Sequence, residues 1–170
     1  MFAMRAVHVL FYRPNKEDRW LNHVVTTFNP PFSHCDLQFD DNLATSIYQS
    51  EPVYMETKSF SRLNYERHSI CVTDEEYKKI RTFCELKHKE KVFFDPLGMV
   101  MSFFPLLYWN APSNKTFCSR YITEALQASG KNEFKALDAV HTTPSSLYKF
   151  LNSQNKGFLH ISDSRLHKVI

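Results

Sequence analysis

Strand-type and helix-type patterns are segregated along this chain, and that segregation narrows its possible folds more than any other feature. Before residue 73 the sequence offers short β-type runs at Ala6 to Tyr12, Phe32 to Phe39, Leu43 to Ser50, Val53 to Lys58 and Arg67 to Val72. Within the second run Leu37 and Phe39 alternate with Asp36 and Gln38, and Asp40-Asp41-Asn42 then reads as a turn. The one helical stretch among these strands is Asp18 to Phe28, where Trp20, Leu21, Val24, Val25 and Phe28 share a face until Pro30 and Pro31 stop it. From Thr73 onward helices dominate. Thr73 caps a run with acids in its first turn that continues to about Lys89, and Thr116 is expected to cap a helix on which Tyr121, Ile122, Ala125 and Leu126 recur until Ser129-Gly130. Thr143 caps a further helix, Pro144 to Leu151, and a last strand is expected near Gly157 to Ile161. The expected class is α+β: an antiparallel sheet of about five strands packed on the helix that starts near Cys118.

With 170 residues and 43% apolar content the chain can build a real core, and one domain over residues 1–170 is expected. The formal net charge is +3 with scattered basic residues; only Lys87 to Lys91 cluster, on a helix end, so no nucleic-acid partner is expected. There is no P-loop or GxGxxG, and three glycines in all speak against nucleotide binding. The apolar run at the N-terminus is too short for a signal peptide and reads as a first strand, which points to a cytoplasmic, reducing setting. Pro96 to Trp109 is the most apolar segment but falls short of a membrane span, so it reads as a buried helix or the lip of a cleft that could touch lipid. No transmembrane segment is expected.

Four cysteines, Cys35, Cys71, Cys84 and Cys118, stand apart without a CxxC pair, and no histidines show ligand spacing, so no metal or other cofactor is expected. Cys71 and Cys84 read as core residues. Cys118 differs because a helix N-terminus stabilises a thiolate through its free N–H groups and dipole. His34, just after the proline turn, could project its ring into a cleft. Its neighbour Cys35 should face the other side of the strand and serve packing. Asp95, in Phe-Asp-Pro-Leu-Gly, reads as a helix cap.

Taken together these segments resemble the permuted papain-like cysteine hydrolases of the NlpC/P60 superfamily, poxvirus-type members included, in which a histidine strand precedes the cysteine helix. HVLFYRPNKEDRWLNHVVTTFNPPFSHCDLQF resembles the opening strand, helix and S-H-x-G histidine strand; FFDPLGMVMSFF resembles the Y-D-x-x-G helix; TFCSRYITEALQASG resembles the cysteine helix. Asp36 stands where the family usually has Gly, and Arg120 where it often has Glu.

The resemblance implies Cys118 as nucleophile and His34 as base, attacking a carbonyl through a thioester. It implies a third polar group on the next strand, where Gln49 replaces the usual acid. Asp36, Gln38 and Glu51 are rivals for that role, and a register shifted by one residue selects Tyr48 or Ser50. Tyr12 is a candidate oxyanion donor beside the Cys118 N–H. The expected activity is a peptidase or isopeptidase on a protein or peptide, for instance a ubiquitin-like conjugate. Two alternatives stay open: an acyltransferase or lipid hydrolase using the same pair, and an inactive binding module.

Overall fold

The computed structural model describes residues 4–18, 20–104 and 114–154. Five strands form one antiparallel sheet: β1 (Met4–Tyr12), β2 (His34–Phe39), β3 (Leu43–Ser46), β4 (Tyr54–Thr57) and β5 (Tyr65–Thr73), in the order β4-β3-β2-β1-β5. Asn42, at φ 64°, makes the tight connection between β2 and β3, a backbone region that Asn tolerates better than most residues. The expected third strand is shorter than Leu43 to Ser50, because Ser50 at φ 68° turns the chain out of extended structure.

Helix α1 (Trp20–Phe28) separates β1 from β2. Its expected apolar face is only partly buried: Val25 packs with Met99 and Phe117, whereas Trp20 and Phe28 are 69% and 58% exposed. Phe28 instead stacks on Phe103 at 5.4 Å. Helix α2 (Asp74–Lys89) has the expected cap, a full capping box in which Thr73 Oγ1 accepts from the Glu76 N–H and the Glu76 carboxylate accepts from the Thr73 N–H.

After α2 come two features that the sequence patterns did not announce. Strands β6 (Phe93–Phe94) and β7 (Lys115–Thr116) pair in parallel, and α5 (Asn132–Lys135) is a single short turn of helix. Between the two strands lies α3 (Pro96–Met101), with Asp95 as its N-cap accepting from the Gly98 N–H at 2.9 Å. Gly98 is required there, since a Cβ would run into the Asp95 carboxylate. The apolar segment expected to reach Trp109 is helical through Met101; its residues from 105 lie outside the described ones, as does the strand expected at Gly157 to Ile161. No helix among the described residues is long and apolar enough to cross a membrane.

Helix α4 (Cys118–Ala128) packs on β2 and β3 and against α2. Tyr121, Ile122, Ala125 and Leu126 are fully buried, each large side chain contributing about 1.5–3 kcal/mol of hydrophobic stabilisation. Tyr121 Oη and Thr45 Oγ1 lie 2.7 Å apart, a buried hydrogen bond that registers α4 on β3. Gly130, at φ 84°, takes the chain off the end of α4 in the left-handed conformation that suits glycine. A last helix, α6, covers residues 144–154, and Thr143 Oγ1 accepts from the Ser146 N–H. Ser145 Oγ then accepts from the Phe32 N–H and donates to the Asn29 carbonyl, clamping both ends of the proline turn that precedes His34.

Candidate active site

Cys118 is the first residue of α4. Phe117, not the expected Thr116, is the N-cap, with φ −130° and ψ 164° and no side-chain capping bond. Thr116 belongs to β7, and its pairing with Phe94 keeps it extended. The correction moves the thiol one position closer to the helix start, where the unpaired N–H groups and the dipole favour a thiolate. Cys118 and His34 line the same cleft, about 430 Å³ in volume.

Strand β2 supplies the partners of Cys118 from its N-terminal end. Alternation puts His34, Asp36 and Gln38 on one face, and the opposite face carries Cys35, Leu37 and Phe39 into the core. Pairing of β2 with β3 covers only Leu37–Thr45 and Gln38–Ala44, so the His34–Cys35 end has no strand beside it there. Ser46 fills part of the gap, donating from Oγ to the Cys35 carbonyl at 2.7 Å and lying 3.3 Å from His34 Nε2. At this end of β2 Cys118 lies close enough to the Cys35 thiol, the Cys35 backbone N–H and the His34 ring for all three to favour its thiolate.

Those contacts set the protonation of the thiol. The Cys35 hydrogen bond holds Cys118 well below the usual thiol range, and His34 adds to this against the opposing effect of burial. Burial and the contact with Cys118 push the Cys35 thiol up, which keeps it protonated as a donor. For His34 burial acts to lower the pKa, yet the charges of Asp36 and Cys118 together raise it well above the ordinary imidazole value. Both shifts run in the direction that favours a thiolate beside an imidazolium.

The ring of His34 is held on three sides. Nε2 is 3.4 Å from Asp36 Oδ1, and the ring stacks on Tyr48 with centroids 4.5 Å apart. Tyr48 in turn stacks on Tyr54 at 5.4 Å. Tyr54 donates a short hydrogen bond to Asp36, which is itself fully buried, and burial followed by the Asp36 charge raises the Tyr54 pKa. Lys58 Nζ donates to Tyr48 Oη at 2.9 Å and lies over both tyrosine rings, bringing a positive charge to the far side of the group.

Several expected roles fall elsewhere. Gln49 lies beyond the end of β3 on the exposed wall of the cleft, so Asp36 and Ser46, not Gln49, contact the His34 ring. Gln38 is engaged away from the site, accepting from Arg67 and donating to the Lys58 carbonyl. Tyr12 does line the cleft, but its hydroxyl donates to Asp18 Oδ2 at 2.7 Å, and burial with that bond raises its pKa to about 12. An oxyanion would have to displace this bond. Arg120 pairs with Glu124 along α4. Cys84 is buried, whereas Cys71, expected in the core, points outward from β5 and is exposed. Cys35 is the residue whose part the sequence concealed: adjacency to His34 suggested only an opposite-facing packing residue, and the open strand end that brings Cys118 against it is a property of the sheet.

Among the described residues no group of three His, Cys, Asp or Glu side chains could hold a metal ion. The chain has no match among protein-family models, curated proteins or solved structures.

Proposed function

We propose that this chain is a cysteine hydrolase of the permuted papain-like kind, with Cys118 as nucleophile, His34 as general base and Asp36 orienting and charging the imidazole. The observation that carries this reading is Cys118 at the first residue of a helix, sharing one cleft with a histidine whose Nε2 faces a buried carboxylate. Nε2 is occupied by Asp36 and Ser46, which leaves Nδ1 to exchange a proton with the sulfur.

The thiolate attacks the carbonyl carbon of an amide, forming the C–S bond. The Cys118 backbone N–H stabilises the oxyanion at the helix start. As the C–N bond breaks, the His34 imidazolium gives its proton to the departing nitrogen. The neutral imidazole then deprotonates a water, which attacks the thioester; the C–S bond breaks, the carboxylate product leaves, and the thiolate–imidazolium pair is restored. The cleft, lined by the amides of Asn22 and Gln49 as well as apolar groups, suits a peptide or protein substrate.

A second reading is supported by α3. Met99 lines the cleft while Leu97, Val100 and Phe104 are exposed nearby, a surface on which an acyl chain could lie. Turnover of peptide amides and of acyl esters by the full chain, compared with Cys118→Ala and His34→Ala, tests both. Loss of roughly 10² or more in rate on either substitution is expected for a positioned pair. Turnover that survives Cys118→Ala would end the hydrolase reading at this site.

A further inference from the structure

The cleft beside Cys118 is lined by apolar side chains, Val25, Ile47, Phe94 and Met99, and also by two carboxylates, Asp18 and Glu51, and the phenols of Tyr12 and Tyr65. His34 is the sole basic side chain among the described residues that line it. A thiolate–imidazolium pair has no net charge, and Lys58 stands near Asp36 behind Tyr48 and Tyr54. Asp18 and Glu51 therefore give the cleft its charge, and it is negative.

Asp18 is built into place: its Oδ2 accepts from the Tyr12 hydroxyl and from the Asn15 backbone N–H, both at 2.7 Å. The Tyr12 and Tyr65 rings lie 5.0 Å apart at 46°, offering aromatic surface next to that carboxylate. Ser33, in the same cleft, is 5% exposed, and its Oγ has no hydrogen-bond partner among the described residues. A buried hydroxyl in that state is open to a hydrogen bond from water or a bound group. Carboxylates with tyrosine faces form a receptor for an ammonium or guanidinium group on an aliphatic stem.

We propose that the substrate is a peptide carrying a Lys or Arg side chain close to the scissile amide, its cation received by Asp18 and Glu51 and its stem packed on the tyrosines. This preference depends on Cys118 acting as the nucleophile proposed above. Asn22 and Gln49, which can each donate and accept, meet the N–H and C=O groups of the peptide backbone.

The test uses small thiol reagents that differ only in charge: trimethylammonium-ethyl, sulfonatoethyl and neutral methyl methanethiosulfonates. Modification of Cys118 in the full chain is followed by peptide mass spectrometry at low salt. The cationic-to-anionic rate ratio is expected to exceed that of free cysteine by roughly tenfold, and to shrink as salt screens the carboxylates. Glu51→Gln and Asp18→Asn should each reduce the ratio. Asp18 is tied into its loop, so its variant is checked by thermal unfolding; Glu51 is exposed, and its variant keeps the test decisive if the other does not fold. A ratio equal to that of free cysteine, or one unchanged in the folded variants, overturns the assignment. The neutral reagent reports on the nucleophile separately, and slow reaction with it counts against the hydrolase reading whatever the ratio. The same preparation is offered peptides with Arg or Glu beside the scissile bond and a choline-headgroup ester. Faster cleavage of the Arg peptide is expected; cleavage of the ester with no cleavage of the Arg peptide would overturn the peptide assignment.

Discussion

His34 Nε2 lies 3.4 Å from Asp36 Oδ1, two residues along the same face of β2. Asp36 thereby stands against the ring where the resemblance led one to expect Gln49, and in the proposed mechanism it takes the orienting role. Asp36→Asn is expected to lower Cys118-dependent turnover by roughly 10² or more, as loss of an orienting carboxylate does. Gln49→Ala should cost much less. Comparing kcat/KM for the two variants decides which residue orients the base; a larger loss for Gln49→Ala would reverse the assignment.

Cys118 is nearly buried and Cys71 is exposed. If access controlled reactivity, Cys71 would alkylate first. The contacts of Cys118 favour its thiolate, so iodoacetamide is expected to modify Cys118 faster than Cys71 near neutral pH, with Cys35 and Cys84 slower than either. Rates resolved by peptide mapping would show the order, and Cys71 leading would remove the case for an activated nucleophile.

Cys35 lies against Cys118 and, with His34, favours its thiolate. Cys35→Ala is expected to raise the apparent pKa of Cys118 and slow its alkylation at neutral pH, while Cys35→Ser, which retains a donor, restores part of the rate. The thermal midpoint should move little for the serine variant. An alkylation rate that ignores both changes would assign the thiolate to His34 and the helix alone.

The pH dependence follows from two shifts of opposite sign. Cys118 is lowered from 9.0 and His34 raised from 6.5, so the ion pair exists between the folded-state pKa of the thiol and that of the imidazolium. Turnover should therefore be bell-shaped, lost on the acid side as the thiolate protonates and on the alkaline side as the imidazolium is lost. For stability the raised His34 contributes fully below about 6.5 and ceases to contribute as pH rises through its folded value. The lowered Cys118 contributes fully above about 9 and ceases as pH falls through its own. Urea midpoints of the wild type and of His34→Ala, compared across this range, should converge at high pH.

Tyr54 donates to the buried Asp36. Tyr54→Phe keeps the ring stacked on Tyr48 but removes the donor, and is expected to destabilise the fold by about 1–3 kcal/mol, the usual range for losing a hydrogen bond to a buried charged group. Chemical denaturation measures it. Stability unchanged to within a few tenths of a kcal/mol would mean that Asp36 does not need this bond.

The outline of the sheet and the α2 cap were legible because both follow short-range rules: compact β-type runs mark β1 and β5, alternation marks β2, and Thr73 followed by acids marks the start of α2. The start of α4 was misjudged because Thr116, a good cap by composition, is held by a cross-chain pairing with β6 that local preference does not register. Alternation along β2 separated His34 and Asp36 from Cys35 correctly, but it implied that a group opposite one face could not reach the other. That inference fails where the ladder to β3 has stopped and only β1 flanks the strand, and Cys118 sits at such an end. The resemblance points to Gln49 as a residue of the next strand, but β3 ends at Ser46 and the chain turns at Ser50, which leaves Gln49 outside the sheet.

The two residues that make Cys118 reactive stand at the start of β2, far earlier in the chain than the thiol itself. A nascent or partly unfolded chain therefore carries an ordinary, sluggish thiol at residue 118. With Cys118 as the nucleophile proposed above, chemical competence arrives only when α4 docks against the sheet, so maturation of the fold and arming of the thiol are one event, and the alkylation rate of this one side chain becomes a clock for tertiary assembly.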